Sequence, residues 1–199
     1  MNRCLNRMLL RSIRQSLGRF LAILGIVALG VGFFAGLKSS QPDLLHSLED
    51  YYGRTRFYDF RLLSSLGLTE SDAEAFRGLY GVEAAEGACF ADAWASLGDG
   101  DEKVWHFETL TEAVDVPELT AGRMPEGPGE CLGDNKAFSE KDLGRTLRLS
   151  DGNSEDTLSH FGERSFVLTG LARSPRYISV DRGSSELGSG KPEGFVLIP

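Results

Sequence analysis

The sequence predicts an α+β protein. One N-terminal transmembrane helix with a helical stalk leads into an extracytoplasmic α+β domain that is incomplete at its C-terminus. Three observations carry this. Residues 20–37 read FLAILGIVALGVGFFAGL, without a charge or a strongly polar side chain. Six Lys or Arg and no acid lie in residues 1–38, whereas the remaining fifteen basic residues face all 29 acids, a formal −14 on residues 39–199. Beyond residue 56, short alternating apolar runs are separated by Gly, Pro and Asp, the pattern of strands and turns.

Residues 1–19 form a cytoplasmic, basic amphipathic helix in this reading. Leu5, Leu9, Ile13 and Leu17 recur every four residues, and so do Arg3, Arg7 and Arg11, joined by Arg14 and Arg19. Such a segment would lie in the inner interface against anionic lipid, or simply supply flanking positive charge. Residues 20–37 are the transmembrane helix. Eighteen residues rise about 27 Å, close to the roughly 30 Å hydrocarbon core. A buried core helix and a cleaved signal peptide are the alternatives. The charge asymmetry opposes the first. The length of the run, with Leu37 in place of a small residue at the cleavage site, opposes the second. Gly25, Ala28, Gly32 and Gly36 fall three or four apart, with Gly32 and Gly36 forming a GxxxG, so one face is fit to pack on other membrane helices. Glycine is also common in membrane helices without such a role.

Residues 38–56 continue as the stalk, with Leu44, Leu45, Leu48 and Tyr52 on one side and Pro42 in a first turn or at a kink. The domain occupies residues 57–199. A strand is expected at 57–63. Thr69 and Asp72 make a capping-box start for a helix to about Leu79, ended by Gly81. One long or two short strands follow over 82–97, then a turn at 98–101 and a return strand at 103–110, together a β-α-β-β unit. The Pro- and Gly-rich stretch 117–129 reads as an ordered loop. Further strands are expected at 146–149, 165–172 and 195–198, a polar hairpin at 151–162, and a loop at 181–194. The apolar run ending at Pro199 reads as the start of a buried strand, so the chain is expected to be the N-terminal piece of a longer protein.

The acidic exterior disfavours nucleic acid as a partner, since phosphate binding needs clustered Lys and Arg. Cys89 and Cys131 fall in the exported part, where they either pair as a disulfide or stay two separate thiols. His46, His106 and His160 have no metal-ligand spacing, and no cofactor is implied. Gly188-Ser189-Gly190-Lys191 lacks the first glycine of a phosphate loop and the hydroxyl after the lysine. Asp99 and Asp101 lack the rest of a calcium loop. An enzyme would have only Glu130 and Asp134 as candidate carboxylates.

Several blocks carry a resemblance. LRSIRQSLGRFLA at 10–22 runs straight into the membrane helix. LTAGRMP at 119–125 is followed closely by Glu130. LGRTLRL at 143–149 and FVLTGLA at 166–172 follow in order. The chain resembles bacterial ABC transporter permeases of the FtsX-like/MacB-like family over essentially its whole length. The resemblance implies a MacB-like extracytoplasmic core domain on a membrane helix, with a loop marked by Gly122, Arg123, Pro125 and Glu130. It also implies a separate cytoplasmic ABC ATPase subunit as partner, further transmembrane helices of the permease, and a dimeric assembly in the cell membrane. The chain itself would not be an enzyme. It would couple the ATPase to movement of the outer domain, in export or mechanotransmission. The family's later membrane helices are not in this sequence. The competing reading is a single-pass, membrane-anchored extracellular binding or sensor module.

Overall fold

The computed structural model describes residues 8, 11 and 13–199 except residue 65, and it divides into two units, residues 1–50 and residues 51–199. Arg3, Arg7 and Cys4 lie outside the described residues, as does most of the expected helix over 1–19.

The first unit is helical. Helix α1 spans Leu17–Thr55, 39 residues, its last turn belonging to the second unit. It is the one helix among the described residues long and apolar enough to cross a membrane. Its apolar section is exposed all round, with Leu29 at 75% and Phe33 at 71%. Such a helix needs an apolar surrounding. Arg11, Arg14, Arg19 and Ala28 are exposed. Among the described residues, nothing beyond the helix's own adjoining backbone lies within 4 Å of where a Cβ would sit on Gly25, Gly32 or Gly36, so the small-residue face is open. The helix runs through Pro42 without a break. Proline supplies no amide for the carbonyl one turn back, so one ladder bond is forgone there. Just before it, the hydroxyls of Ser39 and Ser40 donate to the Gly36 carbonyl at 3.1 and 2.8 Å.

The second unit holds α2 (Glu70–Arg77), β1 (Phe90–Leu97), β2 (Lys103–Thr109), β3 (Glu118–Gly122), β4 (Glu130–Asp134), β5 (Thr146–Leu149), α3 (Glu155–Ser159), β6 (Ser165–Arg173) and β7 (Phe195–Ile198). The expected cap of α2 is present. Thr69 N donates to Asp72 Oδ2 at 2.8 Å, and Asp72 N to Thr69 Oγ1 at 3.3 Å. The sheet order is β3-β6-β4-β7-β2-β1-β5, and β5 pairs back onto β6. Six strands therefore close a ring. The free edge of β6 is shared, its first residues pairing with β5 and its last with β3. Closure removes the exposed edges that an open sheet would have to protect. Two pairs are parallel, β2 with β7 and β4 with β6.

Strand alternation sorts the side chains into two layers. One face packs Trp105, Phe107, Cys131, Leu147, Phe166, Leu168 and Val196 together with Phe138 and Phe161. The other face of β4 and β7 carries Leu132, Phe195 and Leu197, joined by Ala172 and by Tyr177 from the segment after β6.

The structure departs from the sequence expectation in five places. Residues 57–63 are not a strand. Tyr52, Phe57 and Tyr58 stack in series at 4.6 and 4.4 Å, and Phe60 is exposed, so the aromatics are used locally rather than on a sheet edge. Residues 82–89 are also irregular, so the unit is α-β-β rather than β-α-β-β. The stretch 117–129 contains β3, whose five residues carry a bulge between Leu119 and Ala121. β4 was hidden by its length and by the Pro128 and Gly129 before it. Its Gly133 lets Phe138 and Leu168 approach to 2.5 and 2.8 Å of where a Cβ would stand. The polar segment 151–162 forms α3, not a hairpin, with Ser154 accepting from Thr157 N at 3.0 Å.

Candidate functional site

The loop singled out in the sequence begins where β3 ends. Gly122 has φ +78°, and a Cβ there would fall onto the Thr169 carbonyl oxygen and 2.8 Å from Gly170 Cα. Only glycine permits both that conformation and that approach. Arg123 N then donates to Thr169 O at 3.0 Å, holding the loop's first residue on β6. The Arg123 guanidinium grips Glu130 at the start of β4 with both Nη atoms, Nη1 to Oε2 at 2.8 Å. Nη1 also donates to the Met124 carbonyl at 2.9 Å, and Glu126 N donates to Glu130 Oε2 at 2.7 Å. The Arg123 hydrogen bond, helped by the Glu126 amide, holds the Glu130 carboxyl down to about 2. Gly122, Arg123 and Glu130 thus form one clasp. Pro125 lies half-buried inside the loop it closes.

A second cluster covers the outer face of β1 and β2, and sequence reasoning missed it. Asp92 of β1 is paired across the ladder with His106 of β2. The His106 ring meets a carboxylate at each nitrogen, Nδ1 to Asp92 Oδ1 at 2.5 Å and Nε2 to Glu108 Oε1 at 3.0 Å. Glu108 Oε1 also accepts from Arg176 Nη1 at 2.6 Å and from Tyr177 OH at 2.7 Å. Arg176 Nη2 donates to Asp115 Oδ2 at 2.8 Å. Burial works against charge on His106, but the bonds to Glu108 and Asp92 outweigh it and push the imidazole up. Burial also works against charge on Glu108, where His106, Arg176 and Tyr177 win and hold the carboxyl down. Burial prevails at Asp115, only partly offset by Arg176, and its carboxyl is pushed up to about 6. Asp115 Oδ1 and Arg176 Nε are buried without a partner, and Asp115 adopts φ +58°.

Beside this cluster, Asp134 at the end of β4 accepts from Arg182 through both oxygens, at 2.5 and 3.0 Å, with both side chains buried. The guanidinium lies 5.5 Å from the Tyr177 ring, which stacks on Phe195 at 5.1 Å. Residues 174–182 are thereby fixed over the outer layer. The signal was present in the sequence. His106 and Glu108 are two apart in a strand otherwise read as Val, Trp and Phe, which puts two polar groups on one face that also needs cover.

The remaining sequence candidates resolve plainly. Cys89 and Cys131 are both free, the first exposed and the second buried in β4, so they do not pair. Burial pushes the Cys131 thiol up to about 12. Glu130 and Asp134 sit at opposite ends of β4, each engaged by an arginine. Gly188, at φ +59°, packs against the side chains of Trp94 and Val104. Asp99 and Asp101 fall in the turn between β1 and β2. Among the described residues, no three His, Cys, Asp or Glu side chains are grouped to hold a metal.

No protein-family model matches the chain. No curated protein matches it either. A solved structure with a detectable likeness is that of the extracellular domain of the noncanonic ABC-type transporter YknZ from Gram-positive bacteria. It is 13% identical, with a TM-score of 0.43. The likeness covers 68% of this chain, which spans 64% of the length of that one.

Proposed function

We propose that the chain is the membrane-anchored, extracytoplasmic N-terminal portion of an ABC transporter permease subunit of the FtsX-like/MacB-like kind. The observation that carries this reading is the charge-flanked, uncharged section of α1. It has arginines alone on its N-terminal side and an acidic α+β unit after it, an asymmetry that supports reading the N-terminus as cytoplasmic and residues after about 38 as extracytoplasmic. The ordered sequence blocks at 10–22, 119–130, 143–149 and 166–172 support it, and the third and fourth coincide with β5 and β6. The clasp joining Arg123 to Glu130 gives the family-like loop a defined form.

In this reading α1 packs on other transmembrane helices of the permease through Gly25, Ala28, Gly32 and Gly36, the assembly is dimeric, and a cytoplasmic ABC ATPase supplies the energy. The arginines before residue 20 meet the inner lipid interface. The outer domain moves or binds and carries out no chemistry, and nucleic acid is not a partner. The test is co-purification of the full gene product from membranes with candidate ATPase subunits, followed by an ATPase assay. Recovery of an ATPase whose rate depends on this chain supports the reading. Its loss with Gly32→Leu would assign the packing face. No ATPase partner, with residues 39–199 folding cooperatively alone, favours the anchored binding or sensor module.

A further inference from the structure

Imidazole has one ring proton when neutral and two when charged, and a carboxylate only accepts. His106 presents both ring nitrogens to carboxylate oxygens, at 2.5 Å on the β1 side and 3.0 Å on its own strand. A neutral ring would set a lone pair against one of those oxygens. Only the imidazolium satisfies both contacts at once. We propose that His106 is an imidazolium at neutral pH and braces the start of β1 against β2, and that loss of its proton releases that brace as pH rises.

The groups around His106 decide which contact yields. Asp92 faces it from β1 and Glu108 from β2. Arg176 and Tyr177 face it from the segment after β6, with Arg182 behind them over the Tyr177 ring. Asp115, after β2, faces Arg176, and from β7 the Phe195 ring stacks on Tyr177. From residues 57–63 come Tyr58, under Arg176, and Arg61, over Phe90. Glu108 is 4% exposed and keeps Arg176 and Tyr177 whether or not the ring is charged, whereas Asp92 is 20% exposed and has water within reach. A neutral ring therefore keeps its remaining proton toward Glu108, and Asp92 turns outward.

The released part is local. The Phe90 ring lies tilted against the His106 ring at 5.7 Å and carries Arg61 over its own face at 5.0 Å. Loosening Asp92 thus frees the first residues of β1 and the contact that Arg61 makes there, while residues 174–182 stay fixed by Asp134 and Glu108. The direction follows from linkage. The imidazole is pushed above its ordinary value by folding, so its stabilisation is full below that value and is lost as pH rises through the folded one.

The test uses the full chain in detergent, labelled with ¹⁵N at its three histidines, with His106→Gln identifying the His106 signals. Both ring nitrogens of His106 are expected to be protonated at pH 7, with a titration midpoint above the ordinary imidazole value of about 6.5. Asp92→Asn, a rim substitution, should lower that midpoint. Hydrogen exchange, corrected for its intrinsic pH dependence, reads the consequence. Protection over residues 88–94 should fall severalfold across the midpoint in the wild type and be low and flat with pH in Asp92→Asn, while residues 174–182 stay unchanged in both. A midpoint at or below about 6.5, or the same pH response over 88–94 in both proteins, overturns the proposal.

Discussion

Arg123 and Glu130, seven residues apart, are joined through both Nη atoms and both carboxylate oxygens, so the loop between β3 and β4 is closed at its base by one ion pair. The pair is solvent-facing, and its effect is on the loop rather than on global stability. Glu130→Gln is expected to open the loop and speed tryptic cleavage after Arg123 by about tenfold, with little change in Tm. The sign of its pH dependence is that of a depressed acid. The clasp is intact above the ordinary carboxylate range and is lost only as pH falls toward about 2, so cleavage-site protection should persist at pH 4.

Gly122 combines a left-handed φ with backbone contact to β6, whereas Gly144 has φ +81° with open space around it. Gly144→Ala therefore tests conformation alone and should cost about 1 kcal/mol. Gly122→Ala adds a clash that backbone must relieve, and should cost about 3 kcal/mol or more. Denaturant unfolding of both variants gives the comparison.

Asp134→Ala leaves Arg182 buried and unpaired, and should destabilise by about 3–5 kcal/mol. Removing both partners in Asp134→Ala with Arg182→Ala should cost less than the sum of the singles, because the orphaned charge is gone. The double-mutant cycle by chemical denaturation checks this.

Cys89 and Cys131 should differ in reactivity. In a Cys4→Ser background, a maleimide is expected to modify Cys89 in the folded protein and Cys131 only after unfolding, since burial keeps the latter a thiol. Mass spectrometry of the labelled peptides reads the outcome, and no disulfide-linked peptide should be found between them.

Much of the fold was legible where periodicity was long or end signals were specific. The Thr69/Asp72 box, β5 and β7 fell at the expected residues, and β2 and β6 within one residue at an end. The failures share a physical cause. β3 and β4 are five residues each, too short for alternation to separate from loop, and they form because β6 and β7 offer edges far away in sequence. Phe57, Tyr58 and Phe60 have strand-like composition, but the ring of strands closes without them. At the candidate site, Gly122, Arg123 and Glu130 could be named because they are close in sequence. The network of Asp92, His106, Glu108, Asp115 and Arg176 is assembled from four separate segments, and the i, i+2 spacing of His106 and Glu108 in β2 is its only local trace.

The position of β7 has a consequence for biosynthesis. This strand, the last of the described chain, is inserted between β4 and β2 rather than added at a margin. A growing polypeptide that has emerged only as far as β6 still lacks the stave that joins its two halves. Leu132 and Phe107, fully covered in the finished domain, wait on residues 195–198 for their neighbours. The halves of the sheet are thus expected to join through β7 only after those residues are delivered, and until then the apolar side chains they cover stay open to chaperones.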